Sequence, residues 1–221
     1  PDRRVAELWP EFAAGEKDAI TLADVMTHRA GLPAVSGTVR PGDLYDRDRM
    51  VGLLAASQPI VPPRAAPAYH NMTYGYLLGE ILCRAAGEAS LSALLHREIC
   101  APLDADFRIG LDAQAIAAAA YLTQEDGADP MAILDCGEDT IFARSMRFFA
   151  RDEDFNTARW RSAVIGSGSG HSTALGLARI YGEIVRPRAG LLGTETQALA
   201  RTERVRTEGR DPVLGIPMRF S

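Results

Sequence analysis

The stretch "PAYHNMTYGYLLGEIL", residues 67–82, sets three hydrogen-bonding side chains, Tyr69, His70 and Asn71, directly ahead of an apolar run. Within and just beyond the run, Tyr74, Leu77, Leu78, Ile81, Leu82 and Ala85 recur at spacings of three and four. That period describes one face of an amphipathic helix. The spacing predicts a helix over roughly residues 72–86, ended by Gly87. Gly75 and Gly79 lie four apart, which predicts a close approach by a neighbouring element. A membrane dimer is excluded, because Glu80 and Arg84 interrupt the run.

Upstream, Thr21 is positioned to cap a short helix with Leu22, Val25 and Met26 as its apolar positions, stopped by Gly31 and Pro33. Residues 46–56 predict another helix, and the proline-rich residues 57–67 an extended link. Downstream, Ser90 caps a helix that stops near Pro102, "FRIGL" (107–111) predicts a short strand, and residues 112–122 favour helix by composition. Residues 129–150 read as one or two helices with an acidic break at 136–139. "SGSGHS" (167–172) reads as a loop into a helix capped by Ser172 or Thr173, and a further helix starts near Thr194. "DPVLGIPMRFS" (211–221) reads as a strand at the end of the chain, which must find a local partner or belong to a larger sheet.

The 221 residues suffice for one large domain or two small ones, and a hydrophobic share of 47% is that of a water-soluble globular chain. A net charge of −5 argues against nucleic acid as partner. No apolar run reaches the length of about 18 residues that a membrane span needs. The chain begins at Pro1 with no signal-like segment, which leaves the compartment open with the cytoplasm favoured. Oligomeric state is not legible. Three scattered cysteines, Cys83, Cys100 and Cys136, give neither a disulfide framework nor a zinc ribbon. His96 and Cys100 share a helix face, but the four histidines form no metal motif, so neither metal nor cofactor is expected.

"GSGSGHS" (166–172) does not satisfy the G-x-S-x-G spacing around Ser167 or Ser169. It reads as a close-packing loop, with His171 as a candidate substrate-binding residue. Lys17 is the sole lysine, and Ala14 stands where an S-x-x-K serine would be. For Tyr69 two readings stay open. Asn71 or Thr73 caps the helix and Tyr69 is a packed aromatic. Or Tyr69 is a proton carrier: a phenol with a pKa of about 10 is a poor base unless a cation or a helix dipole favours the phenolate, and Asn71 can orient a substrate.

Residues 4–33, "RVAELWPEFAAGEKDAITLADVMTHRAGLP", resemble the N-terminal half of serine hydrolases of the β-lactamase superfamily, esterase-like branch, the family VIII carboxylesterases. "AYHNMTYGYLLGEILCRAAG" (68–87) is similar to their tyrosine motif, which in class C β-lactamases reads Y-x-N. "LHREICAPLDADFRIGL" (95–111), "FNTARWRSAVIGSGSGHSTALGLARIYGEI" (155–184) and "RVRTEGRDPVLGIPMRFS" (204–221) resemble later family segments in order.

The resemblance implies an α+β, β-lactamase/transpeptidase-like fold, of which residues 1–221 are one partial domain, the mainly helical middle with few strands. It implies hydrolysis of small carboxylic esters, or of β-lactams, through an acyl-serine. Tyr69 is implied as general base and Asn71 as its Y-x-N partner, a position the esterase-like branch often fills otherwise. The serine–lysine pair and the last family motif are expected outside these residues, so the 221 residues alone are expected to be inert. The alternative is a non-catalytic binding or scaffolding module on the same fold.

Overall fold

The computed structural model describes residues 1–123, 140–186 and 190–221. Two 3-10 turns, Val5–Glu7 and Pro10–Ala13, open the chain on either side of Trp9. Thr21 then caps α1 (Leu22–Met26): its hydroxyl accepts from Asp24 N–H while the Asp24 carboxylate accepts from Thr21 N–H. This reciprocal pairing satisfies donors that the helix start would otherwise leave free. Asp46 caps α2 (Arg47–Ala56) one way, its carboxylate accepting from Arg49 N–H, and α3 spans Thr73–Ala86. Gly87 closes α3 at φ 66°, a left-handed turn that glycine adopts without steric cost.

Ser90 caps α4 (Leu91–Leu95), which runs on into a π-helical turn at His96–Cys100. β1 (Phe107–Ile109) and α5 (Ala113–Ala118) follow, then α6 (Ile141–Met146) and α7 (Ala158–Ser162). β2 (Gly170–Ser172) leads into α8 (Ala174–Val185), and α9 (Thr194–Arg201) leads to β3 (Val205–Arg206) and β4 (Arg219–Phe220). β1 pairs antiparallel with β2, with Arg108 opposite His171. β4 finds its local partner in β3, with Val205 opposite Phe220. The predicted loop at 167–172 is therefore half strand, and the cap of α8 is Thr173. The predicted acidic break at 136–139 lies outside the described residues.

Helix α3 is the axis of the core. Leu77 and Ile81 pack with Val5, Trp9, Phe12, Ile20, Met50, Leu54, Trp160 and Ile165, and α1, α2 and α4 all lie against α3. The buried side of α3 differs from the predicted stripe. Leu82 is 44% exposed, and Ala85 is exposed, while Thr73, Gly75, Tyr76, Gly79, Glu80 and Cys83 are buried. A period count over large apolar residues misses a face built from glycines and paired polar groups. Glu80 is buried because Arg47 of α2 and Arg84 both donate to it, which compensates its charge.

The close approach predicted at the two glycines is present. A Cβ on Gly75 would lie 2.3 Å from Ser167 N, and one on Gly79 3.1 Å from a Leu91 methyl. Lys17 is fully buried, with its ammonium on the carbonyls of Ala14, Ala55 and Ser57. It ties the first turns to the end of α2.

Candidate active site

Tyr69 lies four residues ahead of α3, within about one helical turn. Three backbone donors around it are taken up in alternation. Tyr69 N–H donates to Asp211 Oδ2 at 2.9 Å. The flanking Ala68 N–H donates to the His28 carbonyl at 2.9 Å, and His70 N–H to His28 Nδ1 at 3.0 Å. The His28 ring also meets three aromatic rings: Tyr69 at 4.8 Å, Tyr74 in a stack at 4.4 Å, and Phe220 of β4 at 4.7 Å. The Tyr69 ring is partly buried, and its hydroxyl makes no hydrogen bond among the described residues. That hydroxyl is not a sealed polar atom: among the described residues, the sealed side-chain atoms lacking a partner are Arg29 Nε and Arg161 Nε.

His70 does not face the site. It is fully buried, its Nδ1 sits 2.7 Å from the Ala68 carbonyl, and its Nε2 accepts from Leu32 N–H at 3.0 Å. These partners assign the proton to Nδ1 and a neutral ring. Burial pushes His70 down to about 3, helped by neighbouring His28 and opposed by the Ala68 carbonyl. Burial likewise holds His28 near 4, against the pull of the Asp211 carboxylate.

Both histidines thus bind their protons more weakly in the folded chain than at the unfolded value of about 6.5. Below that value the unfolded state takes up protons that the folded state refuses, so stability falls as pH drops. We expect the thermal midpoint to decline between about pH 6.5 and 5, where carboxylates remain ionised, with a slope approaching two protons. A flat profile there would contradict the neutral pair.

Neither Asn71 nor Thr73 caps α3. The N-cap residue is Met72, in helical backbone geometry with no side-chain cap. The Thr73 hydroxyl donates to the Leu32 carbonyl at 2.7 Å, and Asn71 Nδ2 lies 2.9 Å from Met146 Sδ. The free N–H of Gly75 is taken instead by Ser167 Oγ at 2.7 Å, and that hydroxyl lies 3.3 Å from the Met72 carbonyl. The cap arrives from the far loop because glycine at 75 leaves room for it. Ser169 is buried, accepting from Ile165 N–H and donating to the Ala163 carbonyl. Both serines of the loop therefore have structural partners.

His171, on β2, keeps Nδ1 2.9 Å from the Ser169 carbonyl and lines a cleft of about 530 Å³ with Phe155, Trp160 and Arg161. Tyr69 and Asn71 are not on its wall, so the structure does not bring the three predicted residues into one pocket. Buried Arg161 donates to the carbonyls of Ile116, Ala119 and Ala120 and to Asn156 Oδ1, bracing the end of α5. No group of three metal-ligating side chains occurs among the described residues. The π-turn carries Cys100 to a contact 3.3 Å from the Phe107 carbonyl. No helix among them is long and apolar enough to cross a membrane.

Sequence reasoning missed His28 and Asp211. His28 has φ 58°, a left-handed conformation that no pattern at 27–33 announces. Asp211 had a signal: Asp-Pro favours a turn, and its Oδ1 accepts from Val213 and Leu214 N–H in an Asx-type turn.

The chain is α+β and mostly helical, and its fold is β-lactamase/transpeptidase-like. The chain belongs to the beta-lactamase family, whose model matches residues 1–218. It is 34% identical over 194 residues to the esterase/beta-lactamase LipL of Mycobacterium tuberculosis (strain ATCC 25618 / H37Rv), covering 81% of this chain and 43% of LipL. Among solved structures, a penicillin-binding protein homolog from Caulobacter crescentus superposes with a TM-score of 0.83 at 33% identity, over all of this chain and 58% of that one. A family VIII carboxylesterase superposes with a TM-score of 0.82 at 28% identity, with the same two coverages, 100% and 58%. The chain thus spans less than two thirds of these relatives.

Proposed function

We propose that these residues carry the proton-transfer part of an esterase that cleaves small carboxylic esters through an acyl-serine. In this reading the Tyr69 phenolate takes the serine hydroxyl proton as the serine oxygen bonds to the ester carbon. The resulting phenol then gives that proton to the departing alkoxide as its C–O bond breaks. Water releases the acid by the same transfers in reverse order. Asn71 orients the substrate carbonyl, and His171 stands on the wall of the cleft that receives part of the substrate. β-Lactams are the second substrate class. No serine lies three residues before Lys17, so the nucleophile and its lysine come from sequence outside these 221 residues.

The observation that carries the reading is the clamp on Tyr69. Its backbone is fixed on both sides, while its hydroxyl makes no hydrogen bond among the described residues. The naming of similar proteins as esterases supports the substrate class.

In the complete gene product, Tyr69→Phe is expected to lower kcat/KM for nitrophenyl butyrate by about 10²-fold, the scale of a lost general acid–base group. The thermal midpoint should hardly move, because the hydroxyl makes no hydrogen bond among the described residues. Unchanged turnover would sink the assignment. A fluorophosphonate probe should leave Ser167 and Ser169 unlabelled, since both hydroxyls already have partners. A complete gene product with no turnover and no labelled serine would favour the non-catalytic module.

A further inference from the structure

We propose that His28 is the positioning residue for Tyr69, holding it by backbone and ring together. This rests on the reading of Tyr69 as proton carrier. One residue supplies two acceptors to the segment 68–70: its carbonyl takes Ala68 N–H at 2.9 Å, and its Nδ1 takes His70 N–H at 3.0 Å. Those two donors flank Tyr69. The peptide N–H between them turns the other way, to Asp211 at 2.9 Å. The same imidazole lies 4.8 Å from the Tyr69 ring, centroid to centroid, so the side chain is restrained as well as the backbone.

The imidazole is itself wedged by Tyr74 at 4.4 Å and Phe220 at 4.7 Å, and lies 5.5 Å from the His70 ring. His28 is 7% exposed and holds φ 58°, a conformation that non-glycine residues adopt only when their surroundings enforce it. Its Nδ1 must stay unprotonated to accept from His70 N–H. A residue that only filled space would need neither the acceptor nor the left-handed backbone. Fixing a reacting group to within a fraction of an ångström is what separates productive from unproductive encounters.

The test is a double-mutant cycle in the complete gene product, read on nitrophenyl butyrate. Asparagine tolerates the left-handed backbone and retains an acceptor but removes the ring. His28→Asn is expected to cut kcat about tenfold, with KM within about twofold. In a Tyr69→Phe background the same change should cost nothing further, because His28 acts through the Tyr69 hydroxyl. Equal losses in both backgrounds, or full activity in His28→Asn alone, would overturn the proposal while leaving Tyr69 as proton carrier. Full activity in Tyr69→Phe alone would instead remove the reading beneath it, and this inference with it. Should His28→Asn fail to fold, His28→Asp, which also tolerates the left-handed backbone and retains an acceptor, carries the same cycle.

Discussion

Gly75→Ala should destabilise the protein by about 3 kcal/mol, although alanine is the better helix former. The new methyl carbon would lie 2.3 Å from Ser167 N, 2.6 Å from the Gly166 carbonyl carbon and 2.7 Å from Ser167 Oγ. Two of those three are backbone atoms, so no side-chain rotation relieves the clash. Helix propensity returns about 1 kcal/mol. Against it stand overpacking of about 1–3 kcal/mol and loss of a helix cap worth about 0.5–2 kcal/mol. The unfavourable terms win. Gly52, in α2, supplies the control: nothing lies within 4 Å of its Cβ position. Gly52→Ala should therefore stabilise by up to about 1 kcal/mol. Urea midpoints of the two variants should move in opposite directions, and a shift of the same sign in both would refute the close-packing account.

Lys17→Met should cost about 4 kcal/mol, the scale of breaking a buried charged contact. Methionine retains the apolar stem length, so the loss isolates the ammonium. That group is the shared donor for the carbonyls of Ala14, Ala55 and Ser57, and residue 17 is fully buried. Without it three acceptors converge on a cavity that holds no donor. The same burial predicts that an amine-reactive ester leaves Lys17 unmodified in the folded protein and labels it only after denaturant is added. Labelling under native conditions, or a loss below about 1 kcal/mol, would show that the lysine reaches water.

Local chemistry made parts of this fold legible in advance. Thr21 and Ser90 cap helices in the structure because a side-chain oxygen and its target N–H are three residues apart, a distance a sequence displays. Gly87 closes α3 for an equally local reason. The start of α3 was legible, but its cap was not, because that comes from Ser167, 92 positions from Gly75. The buried side of α3 was misjudged at Leu82 and Glu80, since partners on α2 decide which face is covered. At the candidate site, the polar cluster at 69–71 was visible from residue types alone. What holds it in place was not: His28 and Asp211 lie 41 positions before and 142 positions after Tyr69.

The Gly75–Ser167 bond has a consequence for the order of assembly. A helix can propagate from its middle on local bonds alone, but the first turn of α3 has a donor whose partner is still far away along the chain. Bringing the 165–169 turn to it requires closing a long loop, an entropic cost that local contacts cannot offset. The end of α3 that presents Tyr69 is therefore expected to mature late, once both halves of the chain have met. Any helix retained by a peptide covering only 67–87 is expected in its far turns, with the tyrosine's end frayed. The site's geometry is in this sense a property of the chain's closure, since the helix end beside Tyr69 is completed by a residue from the far side of the sequence.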